Sequence, residues 1–102
     1  MRQFTTPEQT AKLIELGFEP STRIPFEVGN DELGRTFSIG ELIETLEEVA
    51  SVVISYSYQK RGYYVRVITP KRIGGLMYRI RQIELVDALY DMCVKLKEEG
   101  MI

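Results

Sequence analysis

Between residues 60 and 81 the chain carries Lys60, Arg61, Arg66, Lys71, Arg72, Arg79 and Arg81, and no acidic residue. These are seven of its 13 basic residues, so a segment of +7 stands against a remainder of −9. Five of the six tyrosines, Tyr56, Tyr58, Tyr63, Tyr64 and Tyr78, fall within or beside that segment. Arginine next to tyrosine on a sheet is the chemistry of a single-stranded nucleic-acid platform. Guanidinium groups hold phosphates, and bases stack on aromatic rings at about 1–3 kcal/mol each. The residues that would touch such a ligand, or a partner protein, are Lys60, Arg61, Tyr64, Arg66, Lys71, Arg72, Tyr78, Arg79 and Arg81.

The same residues also have an inert reading. Tyrosine is an ordinary strand residue, and Tyr56 and Tyr58 share a register with Val52 and Ile54, which suits a core. The basic strands would then be neutralised by the Glu-rich second helix or by the Asp87 and Asp91 face of the third. A net charge of −2 and a pI near 5.2 are unlike the usual basic nucleic-acid binder. Charge pairing, within the chain or between copies, is the expectation that these numbers favour.

Other chemistry is scarce. The chain of 102 residues has no His and one Cys, which removes a Ser-His-Asp triad, a Cys-His dyad, a zinc cluster and an internal disulfide. Glu41, Glu44, Glu47 and Glu48 fall one turn apart, but with no facing carboxylates or imidazoles they read as a solvated helix face. Gly74-Gly75 after Pro70-Lys71-Arg72 lacks the Lys-Ser/Thr and the helix that a phosphate loop requires. Cys93 sits in the middle of an apolar helical stripe, the place of a small buried hydrophobe. No catalytic residue, metal site or cofactor is expected.

The elements that would position these residues follow from local chemistry. Thr6-Pro7-Glu8-Gln9 is a capping box with proline at the first helical position, and Gly17 stops the helix, giving residues 7 to 16. Ser38-Ile39-Gly40-Glu41 is a second capping box, with Phe37 placed to staple against Leu42. Leu42, Ile43, Leu46, Val49 and Ala50 then recur at helical spacing. From Val52 to Tyr58 the apolar period becomes two. Gln59-Lys60-Arg61-Gly62 turns the chain, with Gly62 suited to a positive φ, and residues 63 to 68 return as the partner strand. Leu76, Tyr78 and Ile80 alternate with Met77, Arg79 and Arg81 as a third strand. A last helix spans about Glu84 to Glu99, its stripe made by Leu85, Val86, Leu89, Cys93 and Leu96. In residues 18 to 37, with Pro20, Pro25 and the Gly29-Asn30-Asp31 turn, a short edge-type hairpin and an ordered loop both fit.

Grouped strands with helices before and after predict a single α+β domain over residues 1–102. It is a small two-layer fold, an antiparallel sheet of about three strands with three helices. The longest apolar run is Val52-Val53-Ile54, far below the roughly 20 residues of a membrane span. The start has no signal-peptide pattern and Cys93 has no partner, which together place the chain in the cytoplasm.

Three segments resemble a known group. They are Thr6-Pro7-Glu8-Gln9 with Leu13, Leu16 and Gly17, then Phe37 through Ile43, then Leu85 through Met92 with Leu96 and Gly100-Met101-Ile102. Together they look like short uncharacterised proteins of Bacteroides-type prophages and mobile elements. The resemblance implies a genetic context and no chemistry. The resulting expectation is a small non-enzymatic accessory protein that works through a protein partner or a second copy of itself. A single-stranded nucleic-acid binder is the alternative. The first reading calls for an exposed apolar patch near Tyr90, Met92 or Phe26; the second calls for Arg66, Arg79, Arg81 and two tyrosines on one exposed face.

Overall fold

The first helix begins as its sequence dictates. Thr6 accepts a hydrogen bond from the Gln9 backbone N–H at 3.1 Å, and the Gln9 side chain accepts from the Thr6 N–H at 2.9 Å, closing the capping box over α1, Pro7–Glu15. At the far end Gly17, with φ of 102°, donates to Ile14 and Phe18 donates to Leu13, each at 3.0 Å. This is the Schellman arrangement that a left-handed glycine makes possible. The computed structural model describes residues 2–20, 22–23, 35–71 and 75–102.

Two short strands, β1 (Thr22–Arg23) and β2 (Arg35–Thr36), pair antiparallel. The remaining hairpin positions expected from the sequence, Ile24, Phe26 and Val28, lie outside the described residues. Ser38 and Glu41 make the second capping box over α2, Ile39–Glu47. Val49 and Ala50, expected to extend that helix, instead donate to Leu46 in the turn that leads out of it. Three strands follow as an antiparallel meander, β3 (Ser51–Ser57), β4 (Gly62–Ile68) and β5 (Met77–Gln82), with β4 in the middle. The last helix is α3, Leu85–Glu98, closed at Gly100 by the same Schellman pair of bonds. The architecture is a small α+β domain of helices packed on one face of a three-stranded antiparallel sheet.

The strand register decides which side chains meet the helices. Val67 stands between Val52 and Tyr78, Val65 between Ile54 and Ile80, and Tyr63 between Tyr56 and Gln82. Val65 and Val67 are fully buried, and join Leu13, Leu42, Leu46, Val86, Leu89, Met92, Cys93 and Leu96 in one core. At about 1.5–3 kcal/mol for each fully buried large aliphatic side chain, α3 supplies the largest share of that burial. Met101 and Ile102 pack back against the same core beyond the glycine stop.

Polar contacts orient α1 against α3. Arg2 makes an ion pair with Asp87 at 2.9 Å, and the Gln9 amide donates to the same carboxylate at 2.8 Å. Behind them Thr5, Thr10 and Thr36 form a buried triangle of hydroxyls 2.7 to 3.1 Å apart, so no side chain there is buried without a partner.

Candidate interaction surface

The other face of the sheet carries Ser51, Val53, Ser55 and Ser57 on β3, Tyr64, Arg66 and Ile68 on β4, and Met77, Arg79 and Arg81 on β5. No described helix lies over it. Val53, Ile68 and Met77 are 41, 43 and 61% exposed, and Leu76, at the entry to β5, is also exposed. Apolar side chains left open this way on adjoining strands make a contiguous patch and not a scatter of single residues.

Arginines border that patch on β4 and β5. Arg66 is directly opposite Arg79, and Tyr64 is directly opposite Arg81. The Arg79 guanidinium lies over the Tyr64 ring, 5.4 Å from its centroid. Arg81 donates to the Lys60 carbonyl at 2.7 Å and thereby ties β5 to the β3–β4 turn. Val53, Ser55, Tyr64, Arg66 and Arg79 together line a shallow depression of about 170 Å³. Two like charges directly opposed on an antiparallel pair destabilise it, so this row is kept at a cost to the fold.

The internal neutralisation expected from the sequence is not present among the described residues. The two ion pairs there are Arg2 with Asp87 and Lys95 with Glu99. Asp91 accepts from Gln82 at 2.6 Å, and no described carboxylate reaches Arg66 or Arg79. Glu41, Glu44 and Glu48 line a separate shallow groove with Phe18, Glu19, Phe37 and Thr45. Glu41 is already committed there to its capping box.

The candidate contact residues divide as follows. Tyr64, Arg66, Arg79 and Arg81 come together on the open face. Lys60 and Arg61 are exposed in the β3–β4 turn, and Lys71 is exposed in the β4–β5 connection. Tyr78 lies on the opposite face, half-buried against the core, with Lys95 over its ring at 5.8 Å. Arg72 is outside the described residues. The turn also differs from expectation: the left-handed residue is Arg61, with φ of 48°, and not Gly62. Gly62 is required for space, because a Cβ there would stand 2.9 Å from Arg81 Nη1 and 3.1 Å from the Gln82 carbonyl.

Two further expectations change. Tyr56 points to the helix side of the sheet as its register requires, and Tyr58 packs against it from the turn just beyond β3, yet neither is core, because α2 and α3 do not reach that corner. Tyr56 is 45% and Tyr58 is 87% exposed. They pack edge to face on each other, and Tyr56 packs on Tyr63 as well, beside exposed Ile83. The exposed apolar patch is also not at Tyr90 or Met92, two of the three positions expected for it. Met92 is fully buried, Tyr90 is half-buried, and Phe26 is outside the described residues. What sequence reasoning missed was Val53, Ile68 and Met77, whose alternation with the core positions already assigned them to the second face.

Cys93 is fully buried, and burial pushes its thiol up to about 12. A protonated, enclosed thiol is neither a nucleophile nor a ligand. No group of three or more Cys, Asp or Glu side chains that could hold a metal occurs among the described residues. None of the described helices is long and apolar enough to cross a membrane. No family model matches the chain, and neither the curated proteins nor the solved structures include a significant match to it.

Proposed function

We propose that the chain is a non-enzymatic interaction module, of the accessory kind that its resemblance to prophage proteins suggests, working in the cytoplasm. Its docking surface is the open face of the β3–β4–β5 sheet, and its partner is a protein segment that is acidic and apolar in alternation. The observation that carries this reading is Arg66 opposite Arg79, with no described carboxylate beside them, in a row that begins with exposed Val53 and lies next to exposed Ile68 and Met77. Carboxylates satisfy the guanidinium pair, and aliphatic side chains of the same segment cover the flanking apolar surface.

The single-stranded nucleic-acid reading is supported less well. Arg66, Arg79 and Arg81 do share an exposed face, but Tyr64 is the only tyrosine beside them and Arg79 already lies on its ring. Successive bases need successive open rings, and phosphates gain nothing from Val53, Ile68 or Met77.

The test is fluorescence anisotropy with two labelled probes, a peptide of alternating Glu and Val and an oligo(dT), at low and moderate salt. The reading expects the peptide to bind, to weaken with salt, and to lose about tenfold or more in affinity in Arg66→Ala/Arg79→Ala. Preferential, arginine-dependent binding of oligo(dT) would instead favour a nucleic-acid ligand. No binding of either probe at low salt would overturn an anionic partner altogether.

A further inference from the structure

Among the described residues, the outer edge of β3 is open in a way that natural sheet edges seldom are. Among the described residues β3 pairs only with β4, so alternate backbone N–H and C=O groups along its other side have no strand partner. Proteins normally blunt such an edge with charge, proline or a bulge. From Val49 to Gln59 this chain has no charged residue, no proline and no glycine. The opposite edge, β5, is guarded by Arg79 and Arg81. Every residue of β3 is exposed or half-buried; Ile54 and Tyr56 stand 36 and 45% exposed on the helix side, and Tyr58, 87% exposed in the turn just beyond, packs on Tyr56.

We propose that β3 pairs antiparallel with β3 of a second copy about a two-fold axis at Ile54, joining two three-stranded sheets into one of six strands. Charge selects this occupant. Pairing about Ile54 sets Ile54 against Ile54, Val53 against Ser55 and Val52 against Tyr56, and brings no like charges together. Pairing β5 with β5 would oppose Arg79 and Arg81 of the two copies, and stacking the open faces would oppose the rows at Arg66 and Arg79.

The geometry also accounts for the exposed rings. Residues directly opposite in a sheet point to the same face, so Tyr56 lies over Val52 of the second copy, and Tyr58 extends past it toward Ala50. The corner that one copy's helices fail to cover is thereby closed by the other copy. The same rule leaves both arginine-bearing faces on one side of the six-stranded sheet, as a two-fold pair. The inference rests on the uncharged edge and not on what the arginines bind, so it stands or falls separately from the proposed function.

The test is light scattering with size-exclusion chromatography over a range of concentrations, on the wild-type chain and on Ser55→Lys, together with oxidative cross-linking of Ile54→Cys. Ser55 is exposed and faces Tyr64, so the fold tolerates lysine there, which circular dichroism verifies. The wild type is expected to dimerise as concentration rises, and Ser55→Lys to raise the dissociation constant by about tenfold or more. Ile54→Cys is expected to give a disulfide dimer under a mild oxidant, with buried Cys93 unreactive. A wild-type monomer at every concentration would overturn the proposal. So would a dimer that is indifferent to Ser55→Lys and does not cross-link through Ile54→Cys. If Ser55→Lys fails to fold, the cross-link alone decides.

Discussion

Arg66 and Arg79 face each other across the β4–β5 ladder on the side of the sheet that no described helix covers, each without a carboxylate partner among the described residues. Such an arrangement works against the fold that holds it, and local conflicts of that kind concentrate at functional surfaces. Arg66→Thr relieves the repulsion, leaves Arg79 on the Tyr64 ring, and places a good strand former in an exposed site. Chemical denaturation is expected to show a gain of about 0.2–1 kcal/mol, with loss of acidic-peptide binding. A loss of stability would mean that Arg66 serves the fold.

The helix starts are the most local part of the structure and give the firmest numbers. Thr6→Ala and Ser38→Ala each remove the acceptor for a backbone N–H that is 3.1 Å away. Each is expected to cost about 1 kcal/mol, read as a lower denaturation midpoint with an unchanged slope.

The β3–β4 turn yields a contrast between neighbours. Gly62→Ala forces a methyl group to within 3.1 Å of the Gln82 carbonyl and is expected to cost about 1–3 kcal/mol. Arg61→Gly removes a side chain from a left-handed residue and is expected to stabilise by about 1 kcal/mol. Thermal unfolding of the two variants should move in opposite directions from wild type.

Burial raises the Cys93 thiol from 9.0 to about 12. The folded chain therefore keeps this proton where the unfolded chain gives it up. Below about pH 9 both states are protonated and stability does not depend on the thiol; from there to about pH 12 stability falls as pH rises. Cys93→Ala should flatten that alkaline arm. In the native wild type the thiol should resist an aromatic disulfide reagent at neutral pH and react only in denaturant.

How much of this was legible in the sequence depended on range. The capping boxes at Thr6 and Ser38, the glycine stops at Gly17 and Gly100, and the hairpin of β3 and β4 are set by residues within a few positions of one another, and all were readable; a third strand was readable too, but not that it joins the sheet beside β4. The alternation also split β4 correctly into Val65 and Val67 on one face and Tyr64 and Arg66 on the other. What it could not give was how far the helices extend over the sheet. Tyr56 and Val52 share a face and a register, yet Val52 packs on the core and Tyr56 lies beyond it. Nor could pairing of charges be read from composition. Asp87 and Asp91 were available to the basic strands, but Arg2 with Gln9 takes the first, and the neutral Gln82 side chain takes the second.

The most direct measurement is a two-dimensional ¹⁵N–¹H NMR titration of the chain with the Glu-Val peptide at low salt. Shift changes are expected to be confined to Val53, Ser55, Tyr64, Arg66, Ile68, Met77 and Arg79 of the open face, and to fade as salt rises. Changes centred on α2 or on the Tyr56–Tyr58 corner, with the open-face amides unmoved, would contradict the proposed docking surface.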